Sequence, residues 1–292
     1  MPALMGELLR LMFVMRPGEV PGAEELVKSW RAAFDLWEGP GKPGICIWVT
    51  GDSLLEPKIP NVCFHRLFLP ASIDFYGRSP LERKPWSPWG LKSGPNFQFF
   101  RILQDMCAAH RSQWVLQLEA DTVPLRPVKE ADIGWFLHDP NAWIAGAAAD
   151  FAKKGSLSSS TANHLNGAAF YRIGDPMFIR FLQLTWTRSL LYLVNYRPAI
   201  AYDSLTSPGV WEELPWELRE SWRENSYRFF QVEGMVNLSN RLLASSNHLK
   251  QLDEVGIRND LENSPWFLHL AKTRAKRQRF LRKISRPRPR RL

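Results

Sequence analysis

Trp114-Val115-Leu116-Gln117-Leu118-Glu119-Ala120-Asp121-Thr122-Val123-Pro124-Leu125 is an apolar-rich run that ends in two acids one residue apart, then a polar residue and a proline. It reads as a buried strand that leaves a sheet and presents carboxylates at its carboxyl end. In open α/β sheets ligands bind along that edge. Two carboxylates there suit a hard divalent cation, and such a cation can neutralise a diphosphate. The competing reading of Glu119 and Asp121 is a plain solvated strand end, so the rest of the chain has to decide.

Working outward, residues 95–110 fit a helix with Phe99, Ile102, Leu103 and Met106 on one side. Leu11-Met12-Phe13-Val14-Met15 followed by Arg16-Pro17-Gly18 is a strand and then a loop. Leu26, Trp30, Ala33, Phe34 and Trp37 recur at helical spacing and predict an amphipathic helix over 23–36. Ile45-Cys46-Ile47-Trp48-Val49 is a second buried strand, closed by Thr50-Gly51-Asp52, and residues 62–68 make a third. Downstream, 143–149 is another strand, and 175–193 is a helix with Pro176 in its first turn, where the missing N–H is harmless. Residues 211–231 read as short helices. Strands alternating with helices imply a mainly parallel sheet flanked by helices, in a single α/β domain. The Pro- and Trp-rich stretch 75–93 and the polar stretch 153–161, with Gly155 and four serines, are loops long enough to serve a function.

A chain of 292 residues is long enough for a real core, and its 45% apolar content is that of a soluble globular protein. Many of the thirteen Trp stand beside Pro and read as loop anchors. The net charge of +9 is unevenly placed. Eleven of the 38 Lys and Arg residues fall in the stretch Lys272–Leu292, which has no acid; the other 27 are outnumbered by the 29 acids. A slightly acidic body argues against a specific nucleic-acid binder, which needs a basic face on the fold itself. Residues 274–292 read as a solvated, disordered basic tail, suited either to solubility or to peripheral contact with an anionic membrane surface or an acidic partner. Cys46, Cys63 and Cys107 have no metal-type spacing and read as buried small hydrophobes in a reducing, cytoplasmic setting. The first fifteen residues lack the basic start and small-residue cleavage site of a signal peptide.

Three further constellations carry chemistry. In Asn163-His164-Leu165-Asn166-Gly167-Ala168-Ala169-Phe170, polar groups precede a glycine and an apolar run, the pattern of a loop entering a strand, with Gly167 permitting close backbone approach to a ligand. Ala201-Tyr202-Asp203-Ser204 places an acid after an apolar segment, where helix capping is the alternative role. Trp266-Phe267-Leu268-His269-Leu270-Ala271-Lys272 is a late strand bearing a His and, three residues on, a Lys.

In this order the features resemble the GT-A superfamily of nucleotide-sugar-dependent glycosyltransferases, over residues 9–273. The resemblance implies a GT-A-like, Rossmann-type domain spanning residues 1–273, with residues 274–292 as the tail. In that superfamily an Asp-x-Asp motif at a strand end holds a divalent metal, commonly manganese, against the donor diphosphate. Here the motif stands as Glu119-Ala120-Asp121. Asp121 is then the direct metal ligand, and Glu119 reaches the metal through water or touches the donor ribose. The Asn166 stretch corresponds to the element beneath donor sugar and acceptor. His269-x-x-Lys272 is similar to a His-x-x-Gly-x-x-Lys element, with a shorter spacing and no Gly; there the His completes the metal shell and the Lys meets the diphosphate.

The residues carry a parallel argument. A leaving diphosphate needs positive charge, which a metal with Lys272 or Arg16 supplies. An imidazole nitrogen among the ligands suits Mn²⁺ better than Mg²⁺. Arg16, Thr50 and Asp52 end the first two strands, where the nucleotide base and ribose would lie. An inverting transfer would need a carboxylate base, for which Asp203 ranks first and Asp150 and Glu233 follow. The expected partners are a nucleotide-sugar donor and a hydroxyl acceptor on a glycan, lipid-linked saccharide or protein. Two other functions fit less well. A non-catalytic module of the same fold would dock through its basic tail. A sugar nucleotidyltransferase would need a Gly-rich loop after the first strand, and Arg16-Pro17-Gly18 is too thin for one.

Overall fold

Alternation of side chains along each strand sorts the apolar residues of the sheet into two cores, one on each face. In β1 (Leu9–Met15), Leu9, Leu11, Phe13 and Met15 belong to one core and Met12 to the other. β2 (Gly44–Thr50) divides likewise, with Ile45, Ile47 and Val49 on the first face and Cys46 and Trp48 on the second. Strands apolar on both faces are what a parallel sheet covered by helices on both sides requires. The computed structural model describes residues 7–50, 56, 58–67, 93–109, 112–120, 122–149, 164–194, 216–232, 235–237 and 267–269.

Seven strands form the main sheet: β1 and β2 with β3 (Val62–Leu67), β4 (Trp114–Glu119), β6 (Ile144–Ala149), β7 (His164–Tyr171) and β8 (Phe229–Gln231), in the order β3-β2-β1-β4-β7-β6-β8. β3, β2, β1 and β4 are all parallel, while β7 runs antiparallel to both β4 and β6. The expected mainly parallel α/β sheet is therefore what forms, with one reversed strand. A second, three-stranded sheet has the order β5-β10-β9, from β5 (Thr122–Pro124), β9 (Met235–Asn237) and β10 (Phe267–His269).

Helix α1 (Ala23–Ala33) buries Leu26, Val27, Trp30 and Ala33 against the first face. It is joined there by α3 (Glu130–Leu137), whose Ile133, Phe136 and Leu137 are buried. The second face is covered by α2 (Ser93–Ala109) and α4 (Pro176–Val194), with Trp222 of α5 (Trp216–Asn225) completing that core. Trp30, Trp114 and Trp143 are among the largest fully buried side chains, so these three fill core volume and do not anchor loops. Each satisfies its indole N–H: Trp114 donates to the Leu137 carbonyl at 3.0 Å and Trp143 to the Asp175 carboxylate at 2.9 Å.

Three local expectations need correction. Residues 229–231 form strand β8 instead of continuing the helices, a segment too short to show periodicity. The polar start of the Asn166 segment is already strand, because β7 begins at His164. Cys63 is exposed, unlike buried Cys46, because β3 is an edge strand of the sheet. Burial pushes both the Cys46 and the Cys107 thiols up to about 12.

The amino-terminal edge of the sheet is closed by its own polar network. Glu7 pairs with Arg10 at 2.6 Å and accepts the Gly44 N–H and, at 3.0 Å, the Ser112 hydroxyl. Arg10 also donates through Nε to Ser112 Oγ at 3.1 Å.

Candidate functional site at the carboxyl edge of the sheet

Parallel pairing places the ends of β1, β2 and β4 side by side. Val14 is in register with Glu119 across β1 and β4, and Met15 with Val49 across β1 and β2. Arg16, Thr50 and Glu119 therefore meet at one edge. Arg16 is exposed and leads into a 3-10 turn, Pro17–Gly22. Its backbone N–H donates to Glu19 Oε2 at 2.8 Å, and the Glu19 N–H returns a bond to the Arg16 carbonyl at 2.9 Å, which fixes the chain as it leaves β1. Thr50 is 3% exposed, and its hydroxyl donates to the Met15 carbonyl at 3.4 Å. In this arrangement Thr50 braces the ends of β1 and β2 against each other.

Glu119 is part-buried at the last position of β4. Its backbone N–H donates to Thr122 Oγ1 at 3.1 Å. Thr122 is fully buried, and its carbonyl accepts the indole N–H of Trp30 at 3.2 Å. The second sheet then brings a distant segment to the same turn: β10 pairs antiparallel with β5, with His269 opposite Thr122, and β10 also pairs with β9, with His269 opposite Asn237. His269 thus sits in register with Thr122, the residue that follows Asp121, although 147 positions separate the two in the chain.

Asn166 lies on β7 near the same edge. β7 pairs antiparallel with β4, Val115 with Tyr171 and Leu116 with Phe170, so the start of β7 runs beside the end of β4. Between β6 and β7 the register shifts, from Gly146 opposite Ala169 to Ala148 opposite Leu165. Asn166, Gly167 and Ala168 are thereby set against Ala147 alone, a bulge of the kind that re-aims side chains beside functional sites. Asp52, Asp121, Asp203 and Lys272, with Asp150 and Glu233, lie outside the described residues. Among the described residues alone, no three His, Cys, Asp or Glu side chains gather as a metal site.

Sequence reasoning missed the two braces, Thr122 and Trp30. Thr122 is an ordinary strand residue by pattern, and Trp30 falls on the apolar stripe of α1, where its spacing signals only core.

No family model and no curated protein matches the chain. Solved structures do share its fold. The galactosyltransferase LgtC, in complex with donor and acceptor sugar analogues, is 12% identical at a TM-score of 0.51, over 96% of this chain and 98% of that one. An active-site mutant of LgtC gives 0.52 at 12% identity, over 94% of each chain. The apo structure of WbbM, a bifunctional glycosyltransferase, gives 0.52 at 11% identity, over 99% of this chain and 51% of that one. The chain thus has the α/β fold of these glycosyltransferases, as the resemblance to the GT-A superfamily implies.

Proposed function

We propose that this chain is a metal-dependent glycosyltransferase, moving a sugar from a nucleotide diphosphate donor to a hydroxyl on a glycan, a lipid-linked saccharide or a protein. One observation carries the reading: Arg16, Thr50 and Glu119 share the carboxyl edge of the sheet, and β10 sets His269 in register beside the acidic turn. The fold shared with LgtC, a protein solved with donor and acceptor sugar analogues, supports it. Fold alone does not establish chemistry, so the weight rests on the site.

The donor set fits a divalent metal. Two carboxylates and an imidazole are available at positions 119, 121 and 269, a mixed O/N set that suits Mn²⁺ better than Mg²⁺. Asp121 and His269 would hold the ion, with Glu119 acting through water or on the donor ribose. When bound, the metal supplies positive charge at the leaving diphosphate.

The remaining roles belong to the chain itself. Arg16 and Lys272 bring cations to the phosphates. Asp52 takes the nucleotide side, together with Thr50, whose bond to Met15 holds the ends of β1 and β2 together. Asn166, at the β7 bulge, orients the donor sugar or acceptor by hydrogen bonding. Asp203 withdraws the acceptor proton if the transfer inverts. The basic residues 274–292 give the protein peripheral contact with an anionic surface.

Calorimetric titration of a panel of nucleoside diphosphates, with and without Mn²⁺, tests the reading. The expected result is metal-dependent binding of one diphosphate by the wild type, abolished in Asp121→Ala. If neither protein binds any diphosphate, the donor site is refuted and a non-catalytic module of the same fold takes its place.

A further inference from the structure

We infer that Trp30 and Thr122 are positioning residues for the acidic turn, holding the backbone on both sides of Asp121 so that its metal ligands are preorganised. The inference rests on the metal site proposed above and concerns how that site is built.

The Trp30 ring is fully buried between Phe13 and Phe34, each at a centroid distance of 6.4 Å. A phenylalanine would keep an aromatic ring between them with less volume. An indole adds a buried N–H, which must find an acceptor or carry a desolvation penalty. The acceptor it finds is the carbonyl of Thr122, the residue after Asp121. Thr122 is fully buried as well, and its hydroxyl faces back along the chain to accept the Glu119 N–H. That bond ties the end of β4 to the start of β5. The antiparallel pairing of Thr122 with His269 ties the third ligand position to the same residue.

Thr122 thus links α1, β4 and β10. A second bond, from the Val128 N–H to the Ala33 carbonyl at 2.7 Å, fastens the segment after β5 to the end of α1. α1 starts directly after the 3-10 turn that follows Arg16, so the nucleotide end of β1 and the metal turn are linked through one helix. Two neighbouring carboxylates repel one another without a cation, and a braced turn keeps them in place before it arrives. Groups that orient ligands in this way typically change metal affinity by about 10–100-fold when removed.

The test is Mn²⁺ titration of the full-length chain, followed by the electron paramagnetic resonance of free Mn²⁺. Trp30→Phe removes the N–H together with part of the ring, Thr122→Val replaces the hydroxyl with a methyl group, and Thr122→Ser returns the hydroxyl. We expect Trp30→Phe and Thr122→Val each to weaken Mn²⁺ binding by roughly 10-fold, and Thr122→Ser to bind close to wild type. In the metal-free protein, hydrogen exchange of the Glu119 amide should quicken in Thr122→Val and recover in Thr122→Ser. If Thr122→Val does not fold, Trp30→Phe decides alone. Wild-type affinity in both variants, with Asp121→Ala unable to bind, overturns this inference while leaving the metal site standing, even if the melting temperatures fall. No Mn²⁺ uptake by the wild type overturns both.

Discussion

His65 lies on edge strand β3 with its ring stacked on Trp48, centroids 4.5 Å apart. Burial holds its pKa below the ordinary histidine value, and the Arg10 guanidinium adds to the effect against a weaker opposing pull from Asp105. The unfolded chain therefore takes up this proton at a higher pH than the folded one. The stability tied to neutral His65 is complete above about 6.5 and is lost as pH falls from there through the lower folded value. The urea midpoint should drop between pH 7.5 and pH 5, and His65→Gln should drop less. An equal drop in both proteins would show that the ring is not the titrating group. Asp132 is shifted by opposing forces: burial alone would raise its pKa, but two 2.9 Å bonds from Arg126 and one from the Lys129 N–H bring it below the ordinary carboxylate value. Its contribution is present above the unfolded carboxylate pKa and is lost as pH falls through the folded one.

At the scale of elements, Asp175 shows how one side chain sets a helix and a core together. One carboxylate oxygen accepts the N–H groups of Met177 and Phe178 at the start of α4, at 2.8 and 3.4 Å. The other accepts the indole N–H of Trp143, whose ring packs on Phe178 and Phe181. Asp175→Ala loses a cap and strands a buried donor, so unfolding should become easier by about 2–3 kcal/mol in urea melts. Asp175→Asn keeps one acceptor oxygen, enough for the cap or for Trp143 but not both, and should lose less than Asp175→Ala; equal losses would contradict the capping account. The elements legible in the sequence were those with long periods. α1 showed itself through Leu26, Trp30 and Ala33, and β1, β2 and β4 through their apolar runs ending in Arg16, Thr50 and Glu119. β8 and β9 were not legible, because three residues such as Phe229-Phe230-Gln231 form a strand only by pairing with β6. The start of β7 was misread as loop, since Asn166 and Gly167 mark a bulge within a strand and carry the same local signature as a turn.

Over the whole molecule, the sheet has two unlike edges. The Glu7–Arg10–Ser112 network ties the amino ends of β1, β2 and β4 together, and the carboxyl ends of the same strands carry the candidate site. The direction of β4, and so the edge at which its acidic end lies, was readable from the sequence. The second sheet was not readable, because the pairing of His269 with Thr122 depends on a contact between segments 147 residues apart. Among the described residues no helix is long and apolar enough to cross a membrane. The most direct test of the central claim is turnover: release of nucleoside diphosphate from a panel of nucleotide-sugars, with Mn²⁺, by the wild type and by Asp121→Ala. The account predicts release from one donor by the wild type, dependent on Mn²⁺ and at least ~100-fold slower in the variant, the scale expected on losing electrostatic stabilisation of the leaving group. Equal release by both proteins, or release indifferent to Mn²⁺, would contradict it.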